Sequence, residues 1–257
     1  AFYFFLMKLG IDAKVILPND FPSFLSWIPG ADDILLFDKN TETCVQYIEN
    51  ADLICYLDFN SPSRTGLMHN DLQHFSNIPK ILIDHHREAD LSQFVASLSE
   101  IETSSTSELV AEIVMNFGFE DYLDDVETYF YYNDERKTWC AFTDDDAIDI
   151  DEWTLADDDI ILCVLVGILT DTGSFSHSIY GIPTFDICSK LVSNNVDYPL
   201  IHNKIYNTFS ENKLRLLGYC LNKMTVLDEY HAAIISLSKQ ELEMFDYHVG
   251  DTEGVVN

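Results

Sequence analysis

Five residues of this chain have the types and the placing to do chemistry together: Asp58, Asp84, His85, His86 and Asp171. Three of them sit in residues 80–90, "KILIDHHREAD", where an apolar run stops on an aspartate and two histidines, all costly to bury. Asp58 ends "LICYLD" and Asp171 ends "VLVGILTD" in the same manner. Carboxylates mixed with imidazole are the ligand set of Mn²⁺, Zn²⁺ or Fe²⁺, with Mn²⁺ suited to an oxygen-rich version. A bound divalent cation compensates the desolvation of such groups. Taken singly, each residue has an ordinary explanation. A strand-terminal Asp is usually a turn former or a helix cap, Asp-Thr-Gly is good turn chemistry, and histidine pairs arise by chance. The joint occurrence, in this order and each after an apolar run, is what points to a site.

The elements that must bring these residues together can be read from periodicity. In the first third, the helix "AFYFFLMKL", the strand "AKVILP", a loop and the strand "ILLF" precede a helix near "TETCVQYIE". The strand "ADLICYLDFN", a helix around "LMHNDLQHF" and the strand "KILID" follow. Short apolar strands separated by helices predict an α/β fold, a mainly parallel sheet with helices on both faces. "DLICYL" and "KILI" lack polar alternation, as expected of strands buried on both sides. In such sheets, groups just past the C-terminal strand ends and on adjoining helix termini converge on one crevice. Farther on, "SSTSELVAEIVMNFG" predicts a helix capped by Ser105 or Thr106, and an apolar helix runs into the "DTG" turn. Helices are expected around 184–194 and 211–222, then strand, turn, strand and helix, a pattern that opens a second, smaller α/β domain.

Composition narrows the classes. The 257 residues, 47% of them hydrophobic, suffice for a sizeable core. No apolar run reaches membrane-spanning length, so no membrane partner is expected. Six cysteines with no C-x-x-C pair, two of them inside apolar runs, predict reduced thiols and a cytoplasmic setting. The net charge of −30 disfavours long nucleic acid on a broad basic surface, while leaving room for a small phosphorylated substrate. Residues 120–159 hold 16 acidic and two basic residues, which reads as a solvated surface insertion. Its cluster of Tyr129, Phe130, Tyr131, Tyr132, Trp139 and Phe142 predicts that part of it packs as a hairpin or helix.

"DHH" at 84–86, "DFN" at 58–60 and "DTG" at 171–173 resemble motifs III, II and IV of the DHH phosphoesterase superfamily. Within it the chain is most similar to oligoribonuclease-like bacterial proteins that degrade very short RNA, some of which also dephosphorylate adenosine 3′,5′-bisphosphate. "VILPNDFPSFLSWIPG", "SSTSELV", "YNTFSENKLRLLGYCLN" and "GDTEGVVN" support the likeness. The resemblance implies that Asp58 bridges two metal ions and that His85 and Asp171 are ligands of the second. It implies a substrate-facing His86 that helps the leaving oxygen, with Asp84 orienting a histidine. Asn60 and Arg64 fall where the family places rim residues near substrate. Two Mn²⁺ ions about 4 Å apart would then activate water for in-line attack on phosphorus. The expected partner is a short oligonucleotide or nucleotide, and a homodimer is compatible with this.

On the same resemblance, residues 1–200 form the DHH domain, with an acidic insertion at about 120–157. Residues 201–257 are linker helices and the start of a DHHA1 domain. The chain is expected to begin just past the family's first motif, H-x-x-x-D-x-D, and to stop before the glycine-rich substrate segment. The truncated form is accordingly expected to bind metal weakly and turn over poorly. The alternatives are a cyclic-dinucleotide phosphodiesterase or pyrophosphatase of the same superfamily, and a catalytically dead DHH domain acting as a binding module.

Overall fold

The structure, a computed structural model, describes residues 1–117, 129–133, 138–142, 147–148, 158–177, 182–193 and 196–252. Helix α1 (Phe2–Lys8) leads to the short strands β1 (Ile16–Leu17) and β2 (Leu35–Leu36), which pair in parallel. Helix α2 (Thr41–Glu49), β3 (Ile54–Leu57), α3 (Met68–His74), β4 (Lys80–Asp84) and β5 (Ala96–Ser99) follow. The last three strands form a parallel sheet in the order β3-β4-β5, with Leu57 opposite Ile83 and Asp84 opposite Ser99. This is the α/β architecture of parallel strands flanked by helices that the apolar runs predict. β5 is an addition: "ASLS" carries no apolar run, and it is a strand because the open edge of β4 supplies its partners.

Tyr56 and Leu82 point to one face of the sheet. There they pack with Phe37, with Cys44 and Ile48 of α2, and with Met68 and Leu72 of α3. Helix α4 (Thr106–Phe117) lies against β4. Strands β6 (Tyr129–Asn133), β7 (Thr138–Phe142) and β8 (Ala147–Ile148) make an antiparallel sheet within the acidic stretch. The six aromatics singled out there all lie on β6 or β7, which pair as a hairpin, one of the two forms expected. The rest of that stretch is outside the described residues.

Helix α5 (Asp158–Asp171) is apolar all round, and Ile160, Ile161, Val164, Leu165, Val166, Ile168 and Leu169 are all buried. A helix of that kind belongs in the interior. It is enclosed by α1, α4, α6 (Ile182–Ser193) and α7 (Tyr198–Tyr206), through Phe5, Val110, Val114, Leu191, Ile201 and Ile205. Gly167 permits the close approach of α4, because a Cβ there would stand 2.7 Å from Ser107 Cβ. Burying each such side chain contributes about 1.5–3 kcal/mol, so the axis of α5 is firmly held and its C-terminal Asp171 is placed with it. Helix α7 is the second element absent from the sequence-based expectation.

Helix α8 (Glu211–Lys223) precedes the antiparallel pair β9 (Thr225–Leu227) and β10 (Ala232–Ile234), and then α9 (Lys239–Met244). Ser238 and Glu241 form a capping box on α9, and Tyr219 and Lys223 of α8 both bond to the Glu241 carboxylate. Among the described residues, no helix is long and apolar enough to cross a membrane.

Candidate metal centre

Asp58 follows β3 with φ 69°, a left-handed backbone that aspartate tolerates better than most residues. Its N–H still donates to Ile83 O at 3.0 Å, so the sheet ladder holds the chain up to the turn. Thr106 Oγ1 at the start of α4 donates to Asp58 Oδ1 at 2.8 Å. Sequence reasoning treated Thr106 only as one of two possible caps. In the structure Ser105 is the cap, its Oγ accepting from Glu108 N at 3.1 Å, and the Thr106 hydroxyl is left to orient Asp58. The run "SSTS" contained that signal without saying which hydroxyl served which purpose.

Asp84, the last residue of β4, is fully buried. Its two carboxyl oxygens accept from His86 Nδ1 at 2.8 Å and from His86 N at 3.2 Å. It therefore orients His86, and the ring's Nε2 remains for another task. His85 is mostly buried, and its Nε2 lies 3.2 Å from Asp171 Oδ2 and 3.7 Å from Asp58 Oδ1. His86 Nδ1 is 3.6 Å from the same Asp58 oxygen, and the two imidazoles meet edge-on with centroids 4.7 Å apart. Asp58, His85 and His86 offer ligand atoms all within 4.8 Å of one another. Asp171 joins this group through His85.

Asn60 and Arg64 stand on the rim. Asn60 Nδ2 donates to Arg87 O at 3.0 Å, and Asp90 N donates to Asn60 O at 2.7 Å, tying the loop after β3 to the loop after β4. The exposed Arg64 donates from Nη1 to Asn60 Oδ1 at 3.4 Å. His69 and His74 are on α3, outside this constellation. Thus two carboxylates and two imidazoles from three separate stretches of chain converge, with Asp84 behind and Asn60 and Arg64 beside them.

Asp171 closes α5 and leads into a tight turn in which Gly173, Ser174 and Phe175 all have positive φ, from 55° to 65°. For the two non-glycine residues this costs roughly 1–2 kcal/mol each. Burial pushes the Asp171 carboxyl above the ordinary aspartate range, and the like charge of Asp58 adds to this, while His85 and His86 pull the other way. Without a cation, the site thus crowds two acids that resist sharing their charge, and a divalent ion is the partner that relieves it. The donor set fits such an ion.

The sign of the pH effect follows. A raised folded-state pKa means that Asp171 costs the cation-free fold stability as pH rises from the ordinary aspartate range through the raised value. A divalent cation held here would compete with protons for the same oxygens, so its affinity should fall on acidification at a pH above that usual for a carboxylate ligand. Mn²⁺ titrations by calorimetry in buffers of different ionisation enthalpy should show proton release, and Asp171→Asn should remove that part of it. Proton release unchanged by the substitution would contradict this assignment.

The family described as DHH family, N-terminal domain, matches residues 5–137. No protein of curated function matches the chain. A crystal structure of an exopolyphosphatase-related protein from Bacteroides fragilis superposes with a TM-score of 0.78 at 35% sequence identity, over 99% of this chain and 65% of that one. The chain thus spans about two thirds of the length of that relative.

Proposed function

Because the chain belongs to the DHH family, we propose that it is a divalent-cation-dependent phosphoesterase acting on short oligoribonucleotides. Asp58, His85 and Asp171 hold the cation, and Mn²⁺ suits so oxygen-rich a set. The observation that carries this reading is the meeting of two carboxylates at one imidazole nitrogen, with Asp171 at 3.2 Å and Asp58 at 3.7 Å from His85 Nε2. When bound, a divalent cation neutralises charge developing on the phosphoryl oxygens and lowers the pKa of water.

The remaining roles fall to the chain's own side chains. With Nδ1 committed to Asp84, His86 meets substrate through Nε2, and in its protonated form gives that proton to the departing oxygen. The Arg64 guanidinium, steadied by Asn60, matches a phosphate group in shape and charge. The net charge of −30 repels a long polyanion but hinders a short one far less, since few phosphates then lie outside the cation's reach.

A second reading has one specific observation in its favour: the solved relative is described as exopolyphosphatase-related. A phosphoanhydride would engage the same groups. Both substrates should be offered in parallel with Mn²⁺, as di- and trinucleotides of RNA and as tripolyphosphate, with products separated by chromatography. The expected result is release of nucleoside monophosphates with little orthophosphate. Orthophosphate from tripolyphosphate alone would select the second reading. Oligonucleotide binding without cleavage of either would leave a binding module.

A further inference from the structure

We infer that His202 and Tyr206 of α7 are positioning residues for Asp171, holding the left-handed turn that presents its carboxylate to the cation. The inference rests on the reading of Asp171 as a cation ligand. Several hydrogen bonds close the turn after α5, and the shortest backbone bond that spans Asp171 runs from Ser174 N to Leu169 O at 2.8 Å. Helix α7 engages both ends of that bond. Tyr206 donates from its hydroxyl to the same Leu169 oxygen, and His202 Nε2 shares a hydrogen bond of 3.1 Å with Ser174 Oγ.

Three features make this more than general packing. Gly173, Ser174 and Phe175 occupy the left-handed region in succession, a conformation that persists only where surrounding contacts enforce it. The two side chains of α7 that bond to the turn, His202 and Tyr206, are backed by Tyr198: the three follow one another every four residues, with ring centroids 5.9 and 4.9 Å apart. They stand on one face of α7, and that helix is anchored in the core by Ile201 and Ile205. The Leu169 carbonyl is one of the oxygens near a helix end that look outside the helix for partners, and the Tyr206 hydroxyl is its second donor beside Ser174 N, fixing the place of the last turn.

The test is Mn²⁺ binding by the unaltered 257-residue chain and its variants, read by the EPR signal of free Mn²⁺, well below the thermal midpoint of each. Tyr206→Phe and His202→Ala are each expected to weaken Mn²⁺ binding about tenfold, as removal of partners behind a metal ligand typically does. His202→Gln, which can still bond to Ser174, should restore most of the affinity. A merely structural role would lower the thermal midpoint and leave Mn²⁺ affinity unchanged, and that result overturns the inference. Should Tyr206→Phe fail to fold, the His202→Ala and His202→Gln pair decides alone. Asp171→Ala serves as the reference. If it binds Mn²⁺ like the unaltered chain, or if that chain takes up none, the cation reading itself falls.

Discussion

Replacing His85 by alanine is expected to weaken Mn²⁺ binding and to lower hydrolysis about 10³-fold, the several kcal/mol that a cation contributes to a phosphoryl transition state. Among the described residues, the imidazole is the one side chain paired with both carboxylates, 3.2 Å from Asp171 and 3.7 Å from Asp58. Its removal leaves two negative charges facing each other across the space it occupied. Asp58→Ala should act similarly for a different reason. It deletes the oxygen shared by His85, His86 and the Thr106 hydroxyl, and so dismantles the junction between β3, β4 and α4. Thr106→Val separates orientation from ligation. It keeps the carboxylate and removes its donor, so a smaller loss, about tenfold, is expected. Hydrolysis that persists in EDTA, or in both alanine variants, would falsify the cation reading.

Glu108→Ala should be the most destabilising single change outside the hydrophobic core, by about 3–5 kcal/mol. The carboxylate is almost wholly buried, and one of its oxygens takes three donors: Ser104 N at 2.9 Å, the Ser104 hydroxyl, and Thr184 Oγ1 of α6 at 2.9 Å. The buried carboxyl group is accommodated there by its hydrogen bonds and by its place in the first turn of α4, where the helix dipole favours an acidic side chain. Alanine would strand all three donors at once, each costing about 1–3 kcal/mol before the chain relaxes. Glu108→Gln keeps an acceptor oxygen and should cost much less. Urea unfolding of the two variants measures the contrast, and a midpoint for Glu108→Ala close to that of the unaltered chain would mean that water replaces the acceptor. The same clasp sets where α4 begins, hence where Thr106 meets Asp58.

Much of this was legible in the order of residues. β3, β4, α2, α4 and α5 announce themselves because each has a strong apolar pattern, and a buried element needs one whatever its neighbours are. The acid and histidine residues could be singled out for the complementary reason: polar groups at the end of apolar runs demand a partner. β5 and α7 escaped. β5, Ala-Ser-Leu-Ser, is mostly small residues with little strand preference and none of them buried, and its form comes from the edge of β4. Helix α7 did carry a start signal, Asp197 capping Leu200 N with Pro199 in the first turn, but its His, Asn and Lys residues blurred the period.

What the order of residues determined by itself, then, is which side chains must be reconciled with burial and on which elements they ride. Burial preference and helical or strand period are local properties, written residue by residue. Only the tertiary structure decided how the hydroxyls are shared out at the start of α4, why a silent helix stands behind Asp171, and that His85 Nε2 is where the two carboxylates meet. Those depend on distances between segments far apart along the chain. Such distances are set by the packing of α4, α5 and α7 into one core, and no local pattern encodes them.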